Sequence, residues 1–136
     1  MHFTIQEYNN YEESEILNLY AKVGWANYTR NPDMLKNAYQ HSLKIYGAYD
    51  KEKLVGIIRA VGDGHSLVYI QDILVLPEYQ RKGIGTILLK KILAEYNDVY
   101  QNVLLTDNTE KNISFYQSAG FTADSDVNCK AFFKLY

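Results

Sequence analysis

A basic turn containing two glycines is the stretch of this 136-residue chain that most plainly suggests chemistry. Its sequence is QRKGIG at positions 80–85, so Arg81 and Lys82 stand beside Gly83 and Gly85, after an apolar run and before a helical pattern. Backbone N–H groups, the positive end of a helix and two cationic side chains can together bind a phosphate or a pyrophosphate. A helix that begins with a solvated basic pair explains the turn equally well.

Two familiar phosphate-binding motifs do not match this turn. The dinucleotide-binding fingerprint G-x-G-x-x-G/A needs a small third residue, and the chain has Leu88 at that position. The P-loop pattern G-x-x-x-x-G-K-S/T is absent from the sequence. The turn therefore predicts either a different kind of phosphate site or a plain tight turn.

Composition and charge argue against several classes of protein. A formal net charge of -2 argues against broad nucleic-acid binding, and no apolar run has the length of a membrane span. The first ten residues lack the basic start and the long apolar stretch of a secretory signal. Cys129 is the single cysteine, so no intramolecular disulfide forms, and we expect a buried, inert thiol. We therefore expect a cytoplasmic protein without nucleic-acid or membrane partners.

The histidines do not indicate a metal site. His2, His41 and His65 show no spacing typical of metal ligands. We therefore expect no metal cofactor.

Hydrophobic periodicity predicts a chain of alternating strands and helices. The predicted strands cover about 2–8, 45–50, 54–61, 66–76, 100–106, 121–123 and 128–136, and the predicted helices cover about 11–23, 32–44, 83–96 and, with its caps, 107–120. The strand over 66–76 is so apolar that we expect it to be buried on both faces. The order mixes local hairpins with strand–helix–strand crossovers. It predicts an α+β protein with a mixed sheet and helices on its faces.

The basic turn and a second sequence block together resemble a known family. QRKGIG fits the pattern Q/R-x-x-G-x-G/A, V-x-P stands shortly before it, and ISFYQSAGF at 113–121 supplies a tyrosine followed by Gly-Phe. At this spacing the two blocks are similar to the coenzyme A pyrophosphate loop and the later helix-and-turn signature of the GNAT superfamily of N-acetyltransferases. The resemblance covers about 69–121, and the N-terminal third agrees only in the order of its elements. It implies a single GNAT domain over 1–136, with a mainly antiparallel mixed sheet, helices on both faces and a splayed central strand pair.

The resemblance implies acetyl-CoA as a co-substrate. Its pyrophosphate would lie on the basic turn, and its pantetheine arm would pair with the strand before that turn. The residues implied are Gln80, Arg81, Lys82, Gly83, Ile84, Gly85 and Thr86 for the pyrophosphate, and Ile73, Leu74 and Val75 for the arm. A backbone N–H around Leu74 or Val75 would polarise the acetyl carbonyl. Many relatives carry an asparagine near the adenine where this chain has Thr109, so Asn108, or else Asn112, is expected to substitute unless it caps the helix.

The resemblance also implies a proton donor. Tyr116 occupies the general-acid position of the family, and a phenol is a competent donor near neutral pH. Ile113 shares a helix face with Tyr116, so a core tyrosine on an amphipathic helix is the alternative.

Asp72 is a carboxylate inside an apolar strand, where burial without a partner would cost free energy. In the spermidine/spermine acetyltransferases, which this region resembles, a glutamate precedes the aspartate, and Gln71 replaces it here. Asp72 is therefore a candidate for the base, acting through a water, or for the anchor of the amine. A structural pair with a neighbouring cation such as Arg59 explains it equally well.

The acceptor pocket is expected in the loop over 24–32. Trp25 and Tyr28 are rigid aromatic residues of that loop, and they can wall a pocket for the apolar or cationic part of an amine. Plain packing of the loop onto the domain is the alternative.

The function implied by the resemblance is N-acetyl transfer from acetyl-CoA to a primary amine, carried by a small molecule, in a ternary complex. One alternative acceptor is a protein lysine or N-terminus. A second alternative is an acyl-CoA-binding sensor without turnover, which the missing glutamate keeps open. The 13 tyrosines and the resemblance favour a homodimer.

Overall fold

The computed structural model describes residues 2–136, which divide into two compact units, one ending at Leu104 and one beginning at Leu105. The first unit contains β1 (Thr4–Glu7), α1 (Glu13–Lys22), α2 (Ala26–Thr29), α3 (Pro32–Gln40), β2 (Lys44–Asp50), β3 (Lys53–Gly62), β4 (Leu67–Val75), α4 (Ile84–Glu95) and β5 (Gln101–Leu104). The second unit contains α5 (Glu110–Ser118). Short 3-10 turns lie at Pro77–Tyr79 and Asp124–Asp126. A single domain over 1–136 stays a prediction.

The strands of the first unit form one five-stranded sheet in the order β1-β2-β3-β4-β5. The pairings from β1 to β4 are antiparallel, and β4 pairs with β5 in parallel through the crossover helix α4. The parallel pairing stops at Ile70 and Leu104, while β4 runs on to Val75. The sheet is therefore mixed and mainly antiparallel, and its last strand pair separates, as predicted.

An irregularity in the pairing of β3 with β4 decides where the acidic side chain of β4 points. Arg59 stands opposite Asp72 and Ala60 stands opposite Ile70, so Gln71 is an extra residue without a counterpart, a β-bulge. Neighbouring residues of a strand face opposite sides of the sheet, and residues opposite each other face the same side. Ile70 and Asp72 therefore face opposite sides, although a regular strand would put both on one side.

Helices cover both sides of the sheet, as predicted. A side chain at Gly56 of β3 would meet Ile84 and Leu88 of α4 at 3.2 and 3.3 Å, so this side packs against α4. Arg59 stands an odd number of positions further along β3 and faces the other side, where its guanidinium lies 5.6 Å from the Tyr39 ring of α3.

Apolar stripes hold the two longest helices on the sheet. The buried residues are Ile16, Leu19 and Tyr20 in α1 and Ile84, Leu88, Leu89 and Ile92 in α4. Fully burying one aliphatic side chain contributes about 1.5–3 kcal/mol. Neither helix has a side-chain cap at its N-terminus. Apolar packing therefore holds these helices in place, and no side-chain cap occupies the N-terminal amides of α4.

Three local predictions are wrong. α3 ends at Gln40 rather than near residue 44, because the Leu43 amide donates to the Ala60 carbonyl and the chain enters β2 at Lys44. The loop over 24–32 contains the one-turn helix α2. Residues 121–123 and 128–136 were expected as strands, but the structure describes neither segment as a strand.

β4 is less buried than its apolar sequence predicts. Buried and half-buried residues alternate along the strand, and Gln71 is exposed. The strand extends past its last pair with β5, so its final part lacks a sheet neighbour on one side. The expectation of burial on both faces is therefore wrong for this strand.

The bulge aims Asp72 at a buried cation. Arg59 Nε and Asp72 Oδ2 are 2.7 Å apart, and the two side chains are 5% and 0% exposed. A buried ion pair adds little net stability, but removing one partner leaves an uncompensated buried charge. This is the structural pair that the sequence offered as the alternative to a catalytic role for Asp72.

Arg59→Met should lower the free energy of unfolding by about 3–5 kcal/mol, because Asp72 then keeps a buried charge without a partner. Adding Asp72→Leu should recover most of that loss, since the double variant buries neither charge. Lys44→Met is the matched control: Lys44 pairs with Glu7 at 3.1 Å in a partly exposed ion pair, and its loss should cost about 1 kcal/mol or less. Urea unfolding measures all three variants. Equal costs for Arg59→Met and Lys44→Met would contradict this account.

Candidate active site

The basic turn connects β4 to α4 and holds two residues in the left-handed region. Pro77 begins a single 3-10 turn, and Tyr79 of that turn donates a hydrogen bond to Asp50 at 2.7 Å. Arg81 has a φ of 64° and Gly83 has a φ of 82°. A non-glycine residue at positive φ costs free energy, and such strain is concentrated at functional sites.

The N-terminus of α4 offers backbone donors. Gly83 is the N-cap residue and has no side chain to accept from the helix. The amides of residues 84–86 therefore lack an intrahelical acceptor. Arg81 and Lys82 are exposed directly before this helix end and add full positive charges. This set of donors fits an anion of the phosphate type.

The part of β4 beyond β5 carries backbone groups that no strand within residues 2–136 pairs with. Leu76 donates its amide to the Val55 carbonyl of β3 at 2.9 Å. Alternate residues of a strand point their amides in the same direction. Leu74 therefore also faces β3, while the amides of Ile73 and Val75 face the free edge.

Gln80 links the free edge to the basic turn. Its side-chain amide donates to the Val75 carbonyl at 3.0 Å, which agrees with an outward orientation of Val75. Of Leu74 and Val75, the residues between which the sequence could not decide, Val75 is the one whose amide is available to a group bound along this edge.

Asp72 lies at the centre of a buried polar cluster formed by α1, α3, β3 and β4. Its Oδ2 accepts hydrogen bonds from Arg59 Nε and from the Tyr20 hydroxyl, both at 2.7 Å. The hydroxyls of Tyr20 and Tyr39 are 3.0 Å apart, and Arg59 Nη1 donates to Ser42 at 3.2 Å. Asp72 Oδ1 is buried and has no hydrogen-bond partner among the described residues. The cluster therefore fixes one carboxylate oxygen, and the Tyr28 hydroxyl also acts on this carboxylate.

The tyrosines of this cluster stay protonated at neutral pH. Burial raises the pKa of Tyr20 and of Tyr39, and the charge of Asp72 raises both further. Burial lowers the pKa of Arg59 and Asp72 raises it, with a net rise. The cluster consequently holds one cation, one carboxylate and neutral hydroxyl groups, so its formal charges cancel.

The residues predicted to bind the acceptor pack against the cluster. The rings of Trp25 and Tyr28 are stacked, with centroids 5.9 Å apart and 27° between their planes. The Tyr20 ring contacts both, at centroid distances of 6.0 and 5.2 Å. Burial raises the pKa of Tyr28 and the charge of Asp72 raises it further, so this hydroxyl also stays protonated. Gln71 donates a hydrogen bond to that hydroxyl at 3.2 Å.

In the second unit, the Gly-Phe signature ends α5 and packs against Tyr116. Gly120 has a φ of 97°. Its amide donates to the Gln117 carbonyl, and the Phe121 amide donates to the Tyr116 carbonyl, both at 3.0 Å. These two bonds form a Schellman C-cap. The rings of Phe121 and Tyr116 meet edge to face at 6.0 Å. The predicted end of this helix at Gly120 is confirmed, and its geometry orients the tyrosine.

Tyr116 itself is half-buried. Burial raises the pKa of its hydroxyl, and a hydrogen bond with Thr106 partly lowers it. The net rise keeps the phenol protonated at neutral pH, as a proton donor requires.

The N-terminus of α5 is capped by a threonine. The Thr109 hydroxyl accepts from the Asn112 amide at 3.2 Å. Thr109, which stands where many relatives carry the asparagine, thus serves as the N-cap. Asn108 is exposed, and its role near the adenine stays a prediction.

The expectation for the single cysteine is wrong. Cys129 is exposed and lies in a segment without strand structure. Within residues 2–136, no group of three His, Cys, Asp or Glu side chains is arranged to hold a metal ion. None of the described helices combines the length and the apolar character needed to cross a membrane.

Sequence reasoning missed the hydroxyl donors of the buried cluster. Hydrophobic periodicity gives no polar role to Tyr20, Tyr39 or Ser42. A buried carboxylate needs several donors. That requirement, together with tyrosines at core positions of nearby helices, is the signal that points to them.

Comparison with known proteins agrees with this architecture. The acetyltransferase (GNAT) domain family matches residues 41–123. A GNAT-family acetyltransferase of Streptococcus pneumoniae superposes with a TM-score of 0.90 at 43% sequence identity, over 99% of this chain and 98% of that one.

Two further relatives differ more. The histone acetyltransferase TAP1 of Glycine max is 33% identical over 116 residues, a match covering 77% of this chain and 49% of that protein, so this chain spans about half the length of that relative. The PaiA N-acetyltransferase of Thermoplasma acidophilum, solved in complex with coenzyme A, is 19% identical and has a TM-score of 0.70, over 90% of this chain and 91% of that one. On the family match and the likeness to the streptococcal protein, the chain belongs to the GNAT acetyltransferase family, a family of acyltransferases.

Proposed function

We propose that this protein transfers the acetyl group of acetyl-CoA to a primary amine carried by a small molecule. The observation that carries the proposal is the N-terminus of α4, whose uncapped amides and neighbouring cations follow directly on the free edge of β4. Membership of the GNAT family supports acetyl-CoA as the donor. The Thermoplasma acidophilum relative was solved with coenzyme A bound, which supports coenzyme A binding by a chain of this fold.

The basic turn is assigned to the pyrophosphate of the coenzyme. The residues in this assignment are Gln80, Arg81, Lys82, Gly83, Ile84, Gly85 and Thr86. Amides at a helix N-terminus, the helix dipole and two cations all favour a bound anion. Asn108 is assigned to the adenine end on the resemblance alone.

The free edge of β4 is assigned to the pantetheine arm. The arm contains amide groups, and the outward amide and carbonyl of Val75 and the carbonyl of Ile73 can pair with them as a neighbouring strand would. The Leu74 amide faces β3, so it is not available to the arm. The acetyl end, which is farthest from the pyrophosphate, would then lie near Ile73.

Chemical transfer is assigned to a backbone donor and a phenol. Acetyl-CoA supplies an activated thioester, and the amine nitrogen forms the new C–N bond as the C–S bond breaks. The Ile73 amide, the outward amide farther from the basic turn, donates to the acetyl oxygen, where negative charge develops. On the resemblance alone, Tyr116 is assigned to give its proton to the leaving sulfur. Solvent water takes the proton lost by the nitrogen, and a proton from solvent returns to the Tyr116 oxygen.

Asp72 is assigned to anchoring the amine. The charge of Asp72 is already matched by Arg59, and Asp72 Oδ1 can accept a hydrogen bond from an N–H group. These are the properties of an anchor. Trp25 and Tyr28 supply the wall beside it.

A protein amine is the second candidate acceptor. The observation that favours it is the similarity to a histone acetyltransferase of Glycine max. A lysine side chain presents the same nucleophile as a small primary amine. An acceptor panel of small amines and lysine peptides, followed by release of the coenzyme A thiol, separates the two. Binding of acetyl-CoA without turnover on any member of the panel would indicate a sensor instead.

Acetyl-CoA at about one hundred times its Kd should raise the melting temperature by about 10 °C, because a ligand at that excess adds about 2.7 kcal/mol. Gly85→Arg should abolish the shift, since its side chain would stand among the amides assigned to the pyrophosphate. Ala94→Arg adds the same side chain in the last turn of α4, where Ala94 is exposed, and should keep the shift. Scanning fluorimetry measures all three proteins. No shift in the wild type, or an equal shift in Gly85→Arg, would reject the coenzyme site.

Tyr116→Phe should lower kcat by about a hundredfold and leave the Kd for acetyl-CoA within about twofold, because a general acid acts in the chemical step. Tyr100→Phe is the matched control, since Tyr100 is 85% exposed, and should keep the wild-type kcat. Steady-state kinetics and calorimetry give the two quantities. Wild-type turnover in Tyr116→Phe would leave the tyrosine with a packing role only.

A further inference from the structure

We propose that Tyr79 and Asp50 are positioning residues, whose mutual hydrogen bond holds the basic turn in the conformation that binds the coenzyme pyrophosphate. Both residues act through the turn and do not touch the coenzyme. This inference rests on the proposed acetyl-CoA site and adds two residues to it. Three observations carry it: strained backbone in the turn, the exposure of almost all of its approach, and the contacts that meet at Tyr79.

The strain lies at Arg81, a non-glycine residue with a φ of 64°. Such a conformation costs free energy and persists only where the surrounding structure enforces it. The amides assigned to the pyrophosphate follow at residues 84–86, so relaxation at Arg81 would change the path of the chain into them. The turn therefore needs an anchor on each of its two sides.

Buried residues provide the two ends of this segment. Leu76 and Ile84 are each 1% exposed. Between them, Tyr79 is the one residue of the range 77–83 that is not exposed. Its side chain is therefore the anchor of the turn on the side of β4.

Three contacts from distant parts of the chain meet at Tyr79. Its hydroxyl donates to Asp50 Oδ2 at 2.7 Å, and the Phe3 ring meets its ring edge to face at 6.1 Å. Lys53 Nζ lies 5.5 Å from the centre of the ring and 3.7 Å from Glu78 in an exposed ion pair. Exposed pairs contribute little, whereas a hydrogen bond to a carboxylate is one of the stronger kinds. Asp50 is therefore the main partner.

Asp50 is a fixed point because it belongs to a hairpin. It is the last residue of β2 and stands opposite Lys53, the first residue of β3. Gln80 adds a hydrogen bond to the Val75 carbonyl, but that contact stays within the same end of β4. Tyr79, by contrast, fastens the turn to another part of the sheet.

The first test is the Kd for acetyl-CoA, measured by isothermal titration calorimetry. Tyr79→Phe removes the hydroxyl and keeps the ring against Phe3. Its Kd should rise about tenfold, because losing a hydrogen bond to a charged group makes the binding conformation of the turn less populated. Tyr49→Phe, which removes the hydroxyl of a half-buried tyrosine next to Asp50, is the matched control and should keep the wild-type Kd.

Asp50→Asn tests the sign of the effect. Loss of a negative charge near a bound anion would by itself strengthen binding. The positioning role predicts the opposite: a Kd about threefold higher, because a neutral amide oxygen accepts a weaker hydrogen bond. Combined with Tyr79→Phe, the substitution should weaken binding no further, since both changes remove the same interaction.

Two fragments of the coenzyme separate positioning from general damage. Inorganic pyrophosphate lacks the arm, and S-acetylpantetheine lacks the pyrophosphate. In Tyr79→Phe, the Kd for pyrophosphate, read from the NMR shifts of the amides of residues 84–86, should rise about tenfold, as for acetyl-CoA. The Kd for S-acetylpantetheine, read from the shifts of Ile73 and Val75, should stay within about twofold.

The outcomes separate the positioning role from the proposed function. Wild-type affinity for acetyl-CoA in Tyr79→Phe, or tighter binding in Asp50→Asn, overturns the positioning role and leaves the coenzyme site standing. Equal weakening of both fragments overturns the positioning role as well, because the damage is then general. Absence of acetyl-CoA binding by the wild type rejects the coenzyme site together with the positioning role. The predicted binding pattern without acetyl transfer to any amine supports the positioning role and rejects the reaction alone.

Discussion

The ion pair between Arg59 and Asp72 depends on one extra residue in β4. Without the bulge at Gln71, Asp72 would share a side of the sheet with Ile70, against the apolar face of α4. With the bulge, the carboxylate meets Arg59 and the Tyr20 hydroxyl on the side of α1 and α3. A buried carboxylate is tolerated only where donors and a countercharge surround it. The positions of α1, α3 and the short helix α2 are therefore tied to the register of the two central strands.

The same strand serves two purposes within a few residues. At Asp72 it presents a side chain to the cluster next to Trp25 and Tyr28. At Ile73 and Val75 it presents backbone groups to the free edge that β5 leaves uncovered. An acceptor and a coenzyme that use these two features would approach one strand from different directions. This arrangement is what a direct transfer between two bound molecules requires.

The parts of the protein that could be predicted from the sequence are the local ones. The turn after β4 is marked by its own glycines and cations, and the helix end at Gly120 is marked by a glycine at positive φ. The order of the central strands and helices follows from periodicity, because each pattern lies within one continuous segment. The mixed sheet followed from that order, and the separation of its last strand pair followed from the resemblance that the local motifs carry.

The remaining features depend on residues far apart in the chain. Nothing in the segment YIQDILV shows which residue is the extra one, since a bulge is defined by the partner strand. Tyr20, Tyr39 and Asp72 come from three elements, and their hydrogen bonds exist only after those elements pack. The end of α3 is likewise set by β3, whose Ala60 carbonyl takes the Leu43 amide. Tertiary pairing overrode local propensity in each case.

The most direct test of the coenzyme assignment is amide hydrogen exchange along β4, measured by NMR with and without acetyl-CoA. The Ile73 and Val75 amides face the free edge, while the Leu74 amide faces β3. Saturating acetyl-CoA should slow exchange at Ile73 and Val75 by at least about tenfold more than at Leu74, because an amide gains protection only where a new hydrogen bond forms. Equal slowing at all three residues, or unchanged exchange at Ile73 and Val75, would contradict the assignment of the pantetheine arm to this edge.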